Sequence, residues 1–573
     1  MRKPARASLA LALTLLVAGF SFPAGAQGPA LERLPKAGVS DSSAAAKAAA
    51  NAAAPETLVD ANGDRIFDNL AVRLATAAPA DRFDVIVQFN EPAGPLGYAA
   101  VERLTGPIGY KAKWDVAIQG FASRLTRVQI EALSRAPFVK QVEADLEVRA
   151  LLNTATRDTG VNKARLDFSV DGDRNGSPTS YSTTDVVVAV LDTGIDAAHV
   201  DLDGGKVIGW RDEINGQASP YDDQGHGTHV ASIIAGTGEG SSSYKGVAPG
   251  AALVGIKVLN SAGSGTTTQI INGINWMISN KATYNIRVGN MSLGASGCSD
   301  GTDSLATAVN NAVSNGITMA VAAGNDGPAK CTIGTPGAAA NAITVGAAYD
   351  IGELGWAIAE FSSRGPTADG RTKPDIVTPG RYITAAKANS TNQYITYSGT
   401  SMATPFMAGV IALMLDANNT LTDTGIKNIL YNSANYEDRG PAGKDVDYGY
   451  GLNLAYNSIK AAGGFTGTFD DGQGKGYGSA TLTGTGDFDD WTISVSSTAV
   501  PVAVTLIMTN WTGTSSPDFD LYVYNPSGTL VGSSEGTTRQ ELVRLTPTVT
   551  GTYKIRVKSY TGSGAYFIDA SWK

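Results

Sequence analysis

An unbroken apolar run at residues 186–191, Val-Val-Val-Ala-Val-Leu, ends directly on Asp192. A strand that is hydrophobic throughout, without alternation, has to be covered on both faces, as in a parallel sheet between two layers of helix. Further strand candidates follow at residues 252–258, 287–291, 318–323 and 342–345, with helical stretches at 228–235, 268–279 and 304–315. Strands alternating with helices predict an α/β domain with a mostly parallel sheet flanked by helices. A ligand site is expected beyond the carboxyl ends of those strands.

The flanks follow other patterns. Residues 82–149 predict a small α+β unit. DVIVQF (84–89), FASRL (121–125) and FVKQV (138–142) read as strands, and residues 126–136 as a short helix capped by Thr126. Beyond Gly463-Gly464, short alternating strands recur at 491–495, 502–508, 521–524, 553–557 and 566–570. Gly, Ser, Asn and Pro punctuate them, which predicts an all-β sandwich or jelly roll. With roughly 100–200 residues per domain, a chain of this length should hold about three.

The amino terminus reads as an export signal. Arg2, Lys3 and Arg6 precede an apolar run at 9–22, and Ala24-Gly25-Ala26 is a small-residue cleavage site. The run is too short to span a bilayer, so a membrane anchor is the lesser alternative and a secreted protein with no membrane contact in its mature form is expected. Residues 27–57 are Ala-rich and of low complexity and carry no chemistry. Asp60, Asn62, Asp64 and Asp68 are spaced as in a calcium loop, but Ala71 stands where a bidentate Glu belongs, so a polar turn is read there. The net charge of −9 argues against nucleic acid as a partner. Export places the two cysteines, Cys298 and Cys331, where a disulfide persists. One bridge is expected, with two free buried thiols as the alternative.

Three motifs of the α/β region carry chemistry. The chain has 3 histidines, His199, His226 and His229, and two of them lie in GHGTHVAS (225–232) at the start of an apolar helix. A helix amino terminus disfavours added positive charge, which would keep an imidazole neutral and basic. Ser401 lies in GTSMATP (399–405), ahead of the buried-helix pattern 407–415. There it would have free amides beside it to face an oxyanion, although an ordinary N-cap serine would explain it too. Asp192 follows its apolar strand, placed to accept from an imidazole Nδ1–H, or merely to form a turn.

Together, VAVLDTGID (188–196), HGTHVAS (226–232), NMSLG (290–294), AAGNDGP (322–328) and GTSMATP (399–405) resemble the subtilisin-like serine proteases, the subtilases, over about residues 155–460. The order Asp, His, Ser is also the subtilisin order. The resemblance implies a secreted serine endopeptidase acting on protein or peptide substrates, with Asp192, His226 and Ser401 catalytic and Asn325 in the oxyanion hole. It gives His229 the part of a packed neighbour and His199 none in catalysis.

The resemblance further implies substrate binding along Ser292, Leu293 and Gly294. A pocket floor near Gly334 would leave room for a large apolar residue before the scissile bond. Residues 82–149 resemble the family's inhibitory propeptide in GFASRLTRVQIEAL and VKQVEADLEV, and self-cleavage is expected within 145–157, with Leu151 or Leu152 presented to the pocket. The expected organisation is signal peptide 1–26, low-complexity region 27–81, propeptide 82–150, catalytic domain 151–462 and β-domain 465–573. The last resembles pre-peptidase C-terminal domains in DFDLYV (518–523) and GTY (551–553).

Two positions depart from the family. Phe406 stands where a non-catalytic His is common, and residues 240–244 lack the usual calcium ligands. Asp171, Asp173 and Asn175 are the replacement candidates for structural calcium, with a solvated turn as the alternative. No catalytic cofactor is implied, and a monomer is expected. An esterase would need the order Ser, Asp, His; the G-x-S-x-G at 532–536 lies in a β-hairpin and is rejected as a nucleophile elbow.

Overall fold

The computed structural model describes residues 31–34, 63–66, 68–75, 81–90, 94–114, 120–144, 152–350, 356–469, 474–509, 511 and 517–573. The expected signal peptide, most of the Ala-rich region and residues 145–151 of the expected cleavage segment 145–157 lie outside them.

The central sheet runs Val207–Asp212, Ala252–Lys257, Val187–Asp192, Ile286–Met291, Thr318–Ala322, Ile343–Asp350, Ile376–Pro379, Leu452–Asn453, Tyr436–Glu437. All pairings from Val207–Asp212 to Leu452–Asn453 are parallel. The apolar run explains itself here. Val186, Val188 and Val190 enter one hydrophobic core with helices His226–Ala235 and Thr400–Ala417. Val187, Ala189 and Leu191 enter a second core with helices Thr267–Ser279 and Ser304–Ser314. Successive strand residues face opposite ways, so both faces must be apolar.

Chain order reverses at this strand. The next two strands lie on one side of it, and Ile286–Met291 pairs on the other. Asp192 thus ends the strand at a topological switch point, the crevice where open α/β sheets bind ligands. Helix Thr400–Ala417 is long and apolar enough for a membrane span, yet it is the buried central helix of the domain. Pro405 falls in its second turn and has no N–H for the Ser401 carbonyl, which instead accepts from Ser292 Oγ at 2.9 Å.

The amino-terminal unit is a four-stranded antiparallel sheet ordered Tyr110–Trp114, Gly120–Thr126, Arg82–Phe89, Val139–Ala144. Thr126 caps helix Arg127–Ser134 as expected, in a capping box with Gln129. Asp64 Oδ1 accepts from Ile66 N at 2.8 Å, which is turn chemistry.

Helix Ala455–Gly463 stops at Gly464, whose φ of 63° is the left-handed conformation that glycine favours. Beyond it two antiparallel sheets enclose a third core. One is ordered Phe488–Val495, Gly551–Thr561, Asp518–Tyr524, Leu530–Ser534, and the other Gly474–Leu482, Gly564–Trp572, Val502–Met508, Gln540–Leu545. Residues 31–34, expected in a linker, join this sandwich: Glu32–Arg33 pairs with Phe488–Val495. The G-x-S-x-G lies partly on the antiparallel strand Leu530–Ser534, as a nucleophile elbow would not.

The sandwich is joined to the α/β domain by buried charges. Asp447 accepts from Arg364 Nη1 at 3.0 Å and from Arg539 Nη2 at 3.0 Å. Arg364 Nη2 also donates to Gln540 Oε1 at 2.7 Å, and Tyr448 Oη donates to Asp569 Oδ2 at 2.7 Å.

Candidate active site

Asp192 is wholly buried at the end of its strand, and its Oδ1 accepts from Thr193 N and from His226 Nδ1, both at 2.7 Å. His226 opens helix His226–Ala235. Burial opposes charging its imidazole, but the charge and hydrogen bond of Asp192 outweigh burial and raise the pKa above the ordinary 6.5.

His229, one turn on, is fully buried. Its Nε2 lies 3.1 Å from Ile383 O and 3.0 Å from Ile395 O, and its ring is tilted against Tyr397. Burial pushes its pKa down to about 3, so it is a neutral packed neighbour. His199 Nε2 lies 3.0 Å from Gln393 O and its Nδ1 accepts from Asp201 N at 3.2 Å, both loop contacts.

Ser401 sits in the first turn of Thr400–Ala417. Its Oγ donates to Ser292 O at 3.2 Å, while Ser292 Oγ donates back to Ser401 O at 2.9 Å. Asn325 follows strand Thr318–Ala322, and its Oδ1 accepts from Thr400 N at 2.9 Å and Thr400 Oγ1 at 3.0 Å. That fixes the amide so that Nδ2 is the outward donor. A Cβ placed on Gly399 would lie 3.5 Å from Asn325 Nδ2 and 3.5 Å from Ser401 N. The Asn325 side-chain amide and Ser401 N thus lie near each other beside the serine.

Segment 292–294 crosses the same end of the sheet. Ala295 N donates to Thr335 O at 2.8 Å, which brings the two sides of the expected pocket together. A Cβ on Gly334 would lie 1.8 Å from Ala295 O, so glycine is needed there for close backbone contact. Cys298 and Cys331 form a disulfide, which ties the segment after Gly294 to the loop after Asn325.

One organising residue escapes motif reading. Asp222 is buried and accepts from Thr193 Oγ1 (2.9 Å), Gly225 N (2.8 Å), Thr228 N (2.9 Å) and Thr228 Oγ1 (2.7 Å). It joins the loop after Asp192 to the turn that presents His226. The signal was an Asp just ahead of a helix start, a capping pattern.

Asp171, Asp173 and Asn175, the candidate calcium ligands, lie in one run of consecutive turns. Asp171 Oδ1 accepts from Asp173 N at 2.9 Å, Asp173 Oδ1 from Asn175 N at 2.8 Å and Asn175 Oδ1 from Ser177 N at 2.8 Å. Their oxygens close successive turns, and among the described residues no acidic, His or Cys group of three gathers to hold a metal. Phe406 is buried in the first core.

Residues 183–451 match the subtilase family (peptidase S8), and residues 487–559 match the bacterial pre-peptidase C-terminal domain. The chain is 37% identical over 412 residues to serine protease AprX of Bacillus subtilis (strain 168), an alignment covering 66% of this chain and 88% of that protein. It belongs to the subtilase family. The subtilase is also 34% identical to subtilisin J of Geobacillus stearothermophilus, over 67% of this chain and 92% of that one. Against subtilisin of Bacillus pumilus the identity is 40%, over 48% of this chain and 90% of that one. As a subtilase the protein is a serine-type endopeptidase, its α/β domain followed by a pre-peptidase β-domain.

Proposed function

We propose that this subtilase is an exported endopeptidase, made as a self-processing zymogen and working as a monomer, in which Asp192, His226 and Ser401 are the triad and Asn325 the side-chain oxyanion donor. The main support is the 2.7 Å contact of Asp192 Oδ1 with His226 Nδ1, together with the nearness of the Asn325 side-chain amide to Ser401 N. Asp192 holds Nδ1–H, which leaves Nε2 as the base. Ser401 Oγ turns from Ser292 O, gives its proton to Nε2 and attacks the substrate carbonyl. The oxyanion takes hydrogen bonds from Ser401 N and Asn325 Nδ2. An extended substrate pairs along Ser292, Leu293 and Gly294, with a large apolar residue before the scissile bond. Residues 82–150 block the cleft until cleavage within 145–157.

Intact mass and amino-terminal sequencing of wild type beside Ser401→Ala test the zymogen. Wild type should lose about its first 150 residues and digest casein, with Ser401→Ala staying full length. A mature end before 140 or beyond 165 contradicts the placement of the cut. Identical processing of both chains, with neither cleaving casein, would favour a binding protein matured by another protease.

Two further results are expected. His226 must be neutral to accept a proton, and its pKa is raised, so kcat/KM should climb with pH along an acidic limb whose midpoint lies above 6.5. A limb below that value would contradict the Asp192 pairing. Asn325→Leu should lower kcat by about 10²–10³ with KM little changed, a magnitude carried over from the equivalent donor of subtilisin itself. Gly399→Ala should give a similar fall without loss of folding. Its methyl would sit 3.5 Å from both donors, within ordinary contact but where the oxyanion belongs.

A further inference from the structure

Strand Phe488–Val495 would be the outermost strand of its sheet were it not for residues 31–34. Glu32 pairs with Thr492 and Arg33 with Trp491, antiparallel. Leu31 N donates to Tyr477 O at 2.8 Å, on the other sheet, and Leu34 N to Asp490 O at 2.8 Å. The segment therefore crosses the seam between the two sheets. Leu31 is 7% exposed and belongs to the sandwich core. The following residue in sequence, Pro35, has no backbone donor with which to extend the ladder.

The Arg33 contact is built from inside the sandwich. Its guanidinium forms a salt bridge with Asp489 Oδ1, whose side chain is wholly buried, and lies 6.0 Å from the centroid of the Trp491 ring. Behind it, Trp491 Nε1 donates to Tyr566 Oη at 2.9 Å, and Tyr566 Oη donates to Asp489 Oδ2 at 2.7 Å. One carboxylate oxygen is thus held by the interior while the other faces the edge. Main-chain pairing supplies affinity for any extended chain, and side-chain pockets supply selectivity. Here the selective features are an apolar seat for position 31 and a buried anion for position 33.

We propose that this edge is a strand-addition site for an extended apolar-x-Arg segment, which holds residues 31–34 in the precursor and takes extended polypeptide substrate of the same pattern once that segment has been cut away. The second half rests on the self-processing reading; the first does not. In the mature enzyme the site would hold a substrate chain on the β-domain, away from Ser401.

The test needs no processing. The full chain carrying Ser401→Ala together with Leu31→Asp and Arg33→Glu, which cannot cut itself or the probe and whose own segment cannot compete, is titrated with a fluorescein-labelled peptide of residues 27–38 (QGPALERLPKAG), read by anisotropy. The peptide should bind. The same peptide with Arg33→Glu should bind about tenfold more weakly or worse, as expected for reversing one partner of a desolvated pair. Introducing Asp489→Asn into the protein should abolish the difference between the two peptides; if that variant does not fold, the two-peptide comparison decides alone. Equal binding of the two peptides, or none of either, overturns the proposal. Casein hydrolysis is measured with wild type in parallel. A wild type inert on casein, beside a variant that binds the peptide selectively, would remove the self-processing reading and leave the site standing.

Discussion

Ser401→Ala is expected to lower kcat on a peptide substrate by about 10⁶, the size of the loss when subtilisin itself loses its nucleophile or its histidine. The same loss is expected for His226→Ala and for the double variant, because the two groups act as a unit. Oγ is nucleophilic only as its proton leaves for Nε2, and Nε2 has no task without that proton. The oxyanion donors remain in all three variants, since Asn325 is positioned by Thr400 and not by the triad. A residual rate of about 10³–10⁴ over water should therefore survive in each. Additive losses across the two single variants would show that Ser401 and His226 do not share one proton.

Asp447→Ala should destabilise the protein by about 3–5 kcal/mol, the usual cost of stranding buried charge by removing its partner. Arg364 and Arg539 are both essentially unexposed, and the single carboxylate of Asp447 bonds to each. Burial pushes the Asp447 pKa up, but the two guanidiniums outweigh it and hold the carboxyl below its ordinary 3.8. Its stabilising effect is accordingly complete above that value and lost as pH falls through the lower folded pKa. Urea titration of the full chain would measure both effects, and an unchanged midpoint for Asp447→Ala would mean that the arginines find other partners or water. Replacing all three charges by apolar residues should cost far less than the single change.

How far the sequence could be read depended on where each signal came from. Strand Val187–Asp192 was legible because both its faces are buried, and Val502–Met508 because Thr505 is its one polar residue. Strand Val207–Asp212 was not, since it lies at the sheet edge with a mixed burial pattern. Gly474–Leu482 was hidden by its glycines. A Cβ at Gly474 would lie 2.7 Å from the Trp572 ring and one at Gly478 2.4 Å from Trp491, so those glycines exist to admit indoles from distant sequence.

The site divides in the same way. Asp192, His226, Asn325 and Ser401 each sit in a short local motif, and the structure brings them to one end of the sheet. Asp222 works through hydrogen bonds to Thr193 and Thr228, a pairing visible only after folding. The backbone contact of Gly334 with Ala295 O joins two segments distant in sequence and has no local signal. Residues 31–34 carry too short a pattern to stand out from the low-complexity region around them.

The strand that serves two cores also limits how such an enzyme can diverge. One residue inserted between Val187 and Leu191 would turn each later side chain toward the wrong core. It would also carry Asp192 about 3.3 Å along the strand, away from His226. Length can change freely only where no such alternation has to be kept, in the surface connections. Lineages built on this sheet should therefore vary by insertion and by added domains, while the spacing from the start of this strand to its terminal aspartate stays fixed.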